Sequence, residues 1–149
     1  MWLSVNESMG IRDWRNGLRV LLVEDNILFG DALCDHLRST GCCVTWVKGY
    51  RVAVDTLRGE RFDILCLDRQ LGDGDGFDLL RNEKPRCPTI IMSAFDQLTD
   101  RLEAKRLGAA DYLTKPFRME QLTHRIHLIL PQFSGGSRAT SKPSRSEAP

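Results

Sequence analysis

RVLLVED, Arg19 to Asp25, decides how the rest of the chain reads. Four aliphatic residues in a row, Val20 to Val23, run directly into two acids. A run this short, apolar at every position and rich in β-branched residues, reads as a strand of a parallel sheet covered on both faces. Three further runs have the same form: Ile64 to Leu67 meets Asp68, Thr89 to Met92 meets Ser93, and Asp111 to Thr114 meets Lys115-Pro116. Ligands of open α/β sheets bind beyond the carboxyl ends of the strands. Three carboxylates, a hydroxyl and an ammonium are therefore expected along one edge of the sheet.

Helical stretches alternate with these runs. The first, from about Ile27 to Ser39, has Phe29, Leu33 and Leu37 on one face and Gly41 as its stop. Cys43 to Val47 reads as the second strand, and Val52 to Arg58 as a short helix carrying Ala53 and Leu57. Leu71 to Gly76, LGDGDG, is a loop by composition. Phe77 to Lys84 is a short helix ended by Pro85 and Pro88. Asp96 is expected to cap a fourth helix running to Leu107, with Leu98 and Leu102 inward and Gly108 at its end. A last helix, about Met119 to Leu130, carries Leu122, Ile126 and Ile129. Such alternation means a parallel sheet with helices on both sides. Outside this body, residues 1–17 form an N-terminal extension without clear period, and residues 131–149, rich in Ser, Pro and Gly, read as a disordered tail or linker.

Composition narrows the function. Net charge is only +1, so a strongly basic nucleic-acid footprint is absent. No apolar stretch approaches the ~20 residues that cross a bilayer. The first residues lack the basic and apolar regions of a signal peptide. Five cysteines, an odd number without a C-x-x-C pair, read as reduced thiols of a cytoplasmic protein.

Glu24, Asp25 and Asp68 set close together must either raise a pKa or bind a cation, since two like charges ~4 Å apart repel by ~4 kcal/mol at an effective dielectric of 20. Oxygen ligands without His or Cys favour Mg²⁺ or Mn²⁺ over zinc. Asp68, ending the most central run, suits a nucleophile that forms an acyl phosphate. A metal, Lys115 and Ser93 would each face one phosphoryl oxygen.

Glu24-Asp25, then Asp68, then Ser93-Ala94, then Asp111-Tyr112-x-x-Lys115-Pro116-Phe117 together resemble the receiver domain of two-component response regulators, over Leu18 to Leu130. The resemblance implies a flavodoxin-like α/β fold, a doubly wound five-stranded parallel sheet in the order 2-1-3-4-5, as the domain of residues 18–130. It implies that Asp68 accepts a phosphoryl group from a sensor histidine kinase or a phosphotransfer protein. Mg²⁺ would be held by Asp25, Asp68 and the backbone carbonyl of Gln70, with Glu24 acting directly or through water. Ser93 would be the switch hydroxyl, Tyr112 the switch aromatic that turns inward on phosphorylation, and Lys115-Pro116 a cis peptide. The protein would be a phosphoacceptor with self-phosphorylation and autodephosphorylation chemistry rather than an enzyme.

There are departures. Gly72 stands where many receivers have proline. Gln70 and Phe95, two residues beyond Asp68 and Ser93, flank the path of water to an acyl phosphate, and Phe95 offers nothing to orient that water. A calcium loop built on Asp73 and Asp75 fails because Phe77 would fall on a ligand position. His124 and His127 read as a solvated or packed pair. A flavodoxin proper is disfavoured by acids where a cofactor phosphate would sit, and a phosphohydrolase with an aspartyl nucleophile is a remote alternative.

Two outputs remain open: a receiver acting through protein contacts or as a relay step, or the N-terminal receiver fragment of a DNA-binding transcriptional regulator. No helix-turn-helix or basic stripe follows, so the chain itself is not expected to bind DNA. Receivers joined to winged-helix domains commonly dimerise through helix four, strand five and helix five with cross-subunit ion pairs. The aligned positions are Arg101 with Gln121, Arg106 with His127, and Asp111 with Arg125; only the last keeps opposite charges. A homodimer through that surface is weakened but possible on this reading.

Overall fold

Parallel strands Arg19–Val23 (β1), Cys43–Val47 (β2), Ile64–Asp68 (β3), Thr89–Ser93 (β4) and Asp111–Thr114 (β5) form one sheet in the order β2-β1-β3-β4-β5. The computed structural model describes residues 17–131, so the expected N-terminal extension and tail lie outside the described residues apart from Gly17 and Pro131. The helices are Ile27–Ser39 (α1), Tyr50–Gly59 (α2), Gly76–Glu83 (α3), Leu98–Arg106 (α4) and Met119–Ile129 (α5).

The strand period of two divides the core. Val20 and Leu22 of β1, with Ile64 and Cys66 of β3, face Leu33 and Leu37 of α1 and Leu122 and Ile126 of α5. Leu21, Val23, Leu65 and Leu67 face the other way, onto Ala53 of α2, Leu79 and Leu80 of α3, and Ala104 of α4. Burial of both faces explains why β1 and β3 read as continuous apolar runs rather than alternating ones. Gly30 lets α1 approach the sheet edge: a Cβ there would lie 2.3 Å from the Trp46 ring, whose Nε1 donates to the Glu24 carbonyl at 3.0 Å. Gly41 and Gly108, both at φ +95°, carry the chain out of α1 and α4 in the left-handed region.

The structure differs from the sequence expectations in three places. LGDGDG is not all loop: Gln70–Leu71 and Gly74–Asp75 pair as a small antiparallel hairpin. Its acids close helices. Asp73 accepts from Tyr50 N at 2.6 Å and Arg51 N at 3.2 Å, capping α2 from a distance, while Asp75 accepts from Phe77 N at 2.8 Å and caps α3. These backbone donors hold the Asp73 carboxyl below its ordinary range.

Leu98 and Leu102 are not inward. They are 69% and 56% exposed. The i, i+4 spacing correctly put them on one face of α4 but not on the inner face. Arg69 and Arg81 reach toward this helix and pair with Asp100 and Glu103, which draws those positions and Ala104 toward the body. Asp96 does not cap α4 either. Its Oδ1 accepts from Arg101 Nε and Nη2, at 2.9 and 2.7 Å, and from Thr114 Oγ1 at 3.0 Å, so a bidentate guanidinium outcompetes the backbone amides. The residue before the helix, Gln97, makes no side-chain cap bond.

Candidate functional site

The strand ends converge as their spacing requires. One carboxylate oxygen from each of Glu24, Asp25 and Asp68 lies within 4.8 Å of the others. Glu24 and Asp68 are buried and Asp25 is exposed at the rim. Adjacent strands in parallel register produce this: Val23 sits beside Leu67, so the residues that follow β1 and the last residue of β3 leave the sheet together. Lys115, at the end of β5, places Nζ 3.0 Å from Glu24 Oε1 and 3.3 Å from Asp68 Oδ1. The Lys115-Pro116 peptide is cis.

The two acids after β1 are held differently. Glu24 has both oxygens engaged, Oε1 by Lys115 and Oε2 by Asn26 N at 3.1 Å. Asp25 has Oδ2 engaged by Gly72 N at 3.0 Å, and Oδ1 makes no hydrogen bond among the described residues. Asp68 Oδ1 accepts from Gln70 N at 3.3 Å in addition to facing Lys115. This all-oxygen set, excess in negative charge and with a free oxygen on Asp25, fits a hard divalent cation such as Mg²⁺.

Burial pushes the Asp68 carboxyl up to about 7, with the Glu24 charge adding to the rise and Lys115 opposing it. The folded chain thus binds this proton more tightly than the unfolded chain. Without metal, Asp68 costs stability progressively as pH rises from about 4 to about 7. In EDTA at pH 8, Asp68→Asn is therefore expected to melt above wild type, with the gap closing toward pH 4. Thermal melts across that range check it; a wild-type chain as stable as the variant at pH 8 would contradict the assignment of strain to this carboxylate.

Ser93 is buried at the end of β4, and its Oγ accepts from Phe95 N at 3.0 Å. Tyr112 lies inward: the residue is only 6% exposed, and its hydroxyl donates to the Phe95 carbonyl at 2.5 Å. Phe95 is half-exposed, and Gln70 is exposed at the start of the hairpin. Three arginines of the α4–β5–α5 surface are paired within the chain: Arg101 with Asp96 at 2.7 Å, Arg106 with Glu103 at 2.6 Å, and Arg125 with Asp111 at 2.8 Å. The one opposite-charge pair that sequence alignment offered to a partner subunit is thus intramolecular here.

Comparison with known proteins agrees with this geometry. The profile of the response regulator receiver domain matches residues 20–127. Response regulator protein PmrA of Pseudomonas aeruginosa is 36% identical over 121 residues, covering 79% of this chain and 55% of its own length. The chain belongs to the response regulator receiver family.

Other members fit the same picture. Transcriptional regulatory protein QseB of Escherichia coli is also 36% identical over 121 residues, again 79% of this chain and 55% of its own. This receiver therefore spans about half the length of the curated relatives it matches. Among solved structures, the non-phosphorylated HemR receiver domain of Leptospira biflexa superimposes with a TM-score of 0.71 at 33% identity, covering 75% of this chain and 93% of its own. The receiver domain of a Pseudomonas aeruginosa sensor histidine kinase, solved with magnesium coordinated in its active-site cleft, gives 0.68 at 31% identity, covering 76% and 97%.

One residue at this edge escaped the sequence reading. Arg69, next to Asp68, turns away from the acids and joins Asp100 at 2.7 Å. A cation directly after the strand-end acid was visible in the sequence, but its partner is 31 residues away and no local pattern points to it.

Proposed function

We propose that this receiver accepts a phosphoryl group on Asp68 from a histidine kinase or phosphotransfer protein, with Mg²⁺ or Mn²⁺ as cofactor. The observation that carries this is the buried Asp68 carboxylate set between a group of acids fit for a cation and the Lys115 ammonium. Asp25 and Asp68 would hold the ion with the Gln70 carbonyl, and Glu24 would act through water, since both its oxygens are engaged by protein donors. The bound ion supplies charge neutralisation for the incoming phosphoryl oxygens. The chain's own groups do the rest. An Asp68 oxygen attacks phosphorus and forms the acyl phosphate, and the donor's leaving group departs with the bonding electron pair. Lys115 faces one phosphoryl oxygen, and the Ser93 hydroxyl donates its hydrogen to a second while its oxygen keeps the bond from Phe95 N. The test is intact mass after incubation with acetyl phosphate and Mg²⁺; no phosphoryl adduct under those conditions would refute the reading.

With Tyr112 already inward, the moving part is the segment from Ser93 into α4 rather than the aromatic ring. The added group brings roughly −1.5 to −2 charges, and drawing Ser93 toward it pulls on Phe95, which both Ser93 and Tyr112 hold. This α4–β5–α5 surface would carry the signal to a partner or an output domain. Matched relatives named as transcriptional regulators, about half of whose length this chain spans, favour the reading as the receiver part of a DNA-binding regulator. A homodimer on that surface could exchange only the internal Asp111–Arg125 pair for a cross-subunit ion pair. Cytoplasmic location follows from a histidine-kinase partner, and among the described residues no helix is long and apolar enough to cross a membrane.

The phosphoryl group should last minutes to hours rather than seconds. Hydrolysis needs a water held in line with Asp68, and of the flanking side chains Phe95 gives it no hydrogen bond. Phe95→Glu, which offers an acceptor, is expected to shorten the lifetime severalfold in a decay assay on the phosphorylated chain. Unchanged or slower decay would remove Phe95 from the argument.

A further inference from the structure

The structure assigns Arg69 as the positioning residue that couples the phosphoacceptor strand to α4. Arg69 directly follows Asp68, and its backbone is fixed by both neighbours: N donates to the Met92 carbonyl at 2.9 Å, and O accepts from Gly76 N at 2.6 Å. Its guanidinium lies 4.0 Å from the Phe77 ring centroid and 5.4 Å from that of Phe95. Nη1 donates to Asp100 Oδ1 at 2.7 Å, and Nε lies 3.6 Å from Asp75 Oδ1. Only about a fifth of either the Arg69 or the Asp100 side chain is exposed. One side chain therefore touches the hairpin, the start of α3, the β4–α4 loop and the first turn of α4.

Little else holds that turn. Ala104 is the only buried residue of α4, Leu98 and Leu102 face outward, and Gln97 provides no side-chain cap. The Arg101–Asp96 pair ties the turn to the loop before it, and Arg101 also donates to Thr114 at 2.7 Å and lies 5.1 Å from the Tyr112 ring centroid, but the Arg101 and Asp96 side chains are 42% and 57% exposed. A half-buried pair of charged groups is stronger than exposed ones. Displacement of Ser93 toward a phosphoryl group on Asp68 moves Phe95 against the Arg69 guanidinium. Through Asp100 that displacement reaches the helix. Lysine could supply the charge but not the flat fork that stacks on two rings while donating to a carboxylate.

This coupling rests on Asp68 being the phosphoryl site, and the test separates the two. The full chain, Arg69→Met and Asp100→Asn are titrated with beryllofluoride and Mg²⁺; bound fluoride is read by ¹⁹F NMR and α4 by amide hydrogen exchange. Methionine keeps the apolar stem between the rings, and Asp100→Asn cuts the same tie from the other end should Arg69→Met fail to fold. Wild type is expected to bind beryllofluoride and change exchange across Thr99 to Lys105. Both variants are expected to bind it comparably, to exchange α4 amides roughly tenfold faster when free, as loss of one bond between charged groups allows, and to lose most of the ligand-induced change. A mere prop would speed free and bound exchange by one common factor and leave their ratio as in wild type, which would overturn the coupling. Wild type that binds no beryllofluoride would overturn the phosphoryl site itself.

Discussion

Asp68→Ala is expected to gain no phosphoryl group from acetyl phosphate and Mg²⁺ under conditions in which the wild-type chain does. Asp68 and Glu24 both face Lys115 from buried seats, but Glu24 is held on both oxygens while the donors to Asp68 meet only Oδ1. Asp68 ends a strand whose five residues are all buried, between neighbours in parallel register on each side. Lys115 Nζ stands 3.3 Å from its carboxylate, ready to neutralise charge as the new O–P bond forms. Glu24 is 0% exposed with both oxygens engaged, so it cannot take over. Asp25 is exposed, but among the described residues no lysine or arginine pairs with it. Loss of the nucleophile should therefore be total within detection, not a reduction. An adduct that persists in Asp68→Ala would assign the chemistry to another side chain. Asp68→Asn gives the same answer while preserving shape, and its expected stability in EDTA shows that the fold is intact.

Much of this was legible in the chain because two short-range rules agree. Apolar runs too short for helices, with helical periods between them, give a parallel sheet. The polar residues at the ends of those runs are then forced together by the sheet itself, which is why Glu24, Asp25, Asp68, Ser93 and Lys115 could be gathered before any coordinates. What failed was whatever depended on partners that no local pattern names. Leu98 and Leu102 look inward by spacing, but which face of α4 meets the body is set by Arg69 and Arg81 from other segments. Asp96 reads as a cap until Arg101 and Thr114 claim it. Asp73 reads as a loop acid, yet it caps a helix that begins 23 residues earlier. Each of these side chains had two satisfactory local uses, and the tertiary fold chose between them.

Removal of metal should be as complete in its effect as loss of the nucleophile: excess EDTA is expected to abolish the adduct. Without a cation, the approach of an anionic phosphoryl donor to three carboxylates is opposed by repulsion that the single Lys115 ammonium cannot cancel. Burial already holds the Asp68 carboxyl near 7, which withdraws part of the ionised nucleophile at neutral pH; a cation returns it by stabilising the charged form. The two remaining acids should then part company. Asp25 Oδ1 is unclaimed among the described residues and can bind the ion directly, whereas Glu24 is fastened on one side by Lys115 and on the other by Asn26 N. Asp25→Ala is therefore expected to weaken Mg²⁺ binding at least tenfold, about 1.4 kcal/mol, and Glu24→Gln by only a few fold. Calorimetric titration of the purified variants measures both. If Glu24→Gln costs more than Asp25→Ala, the buried glutamate rather than the rim aspartate is the direct ligand, and the Lys115–Glu24 pair must open when the ion enters.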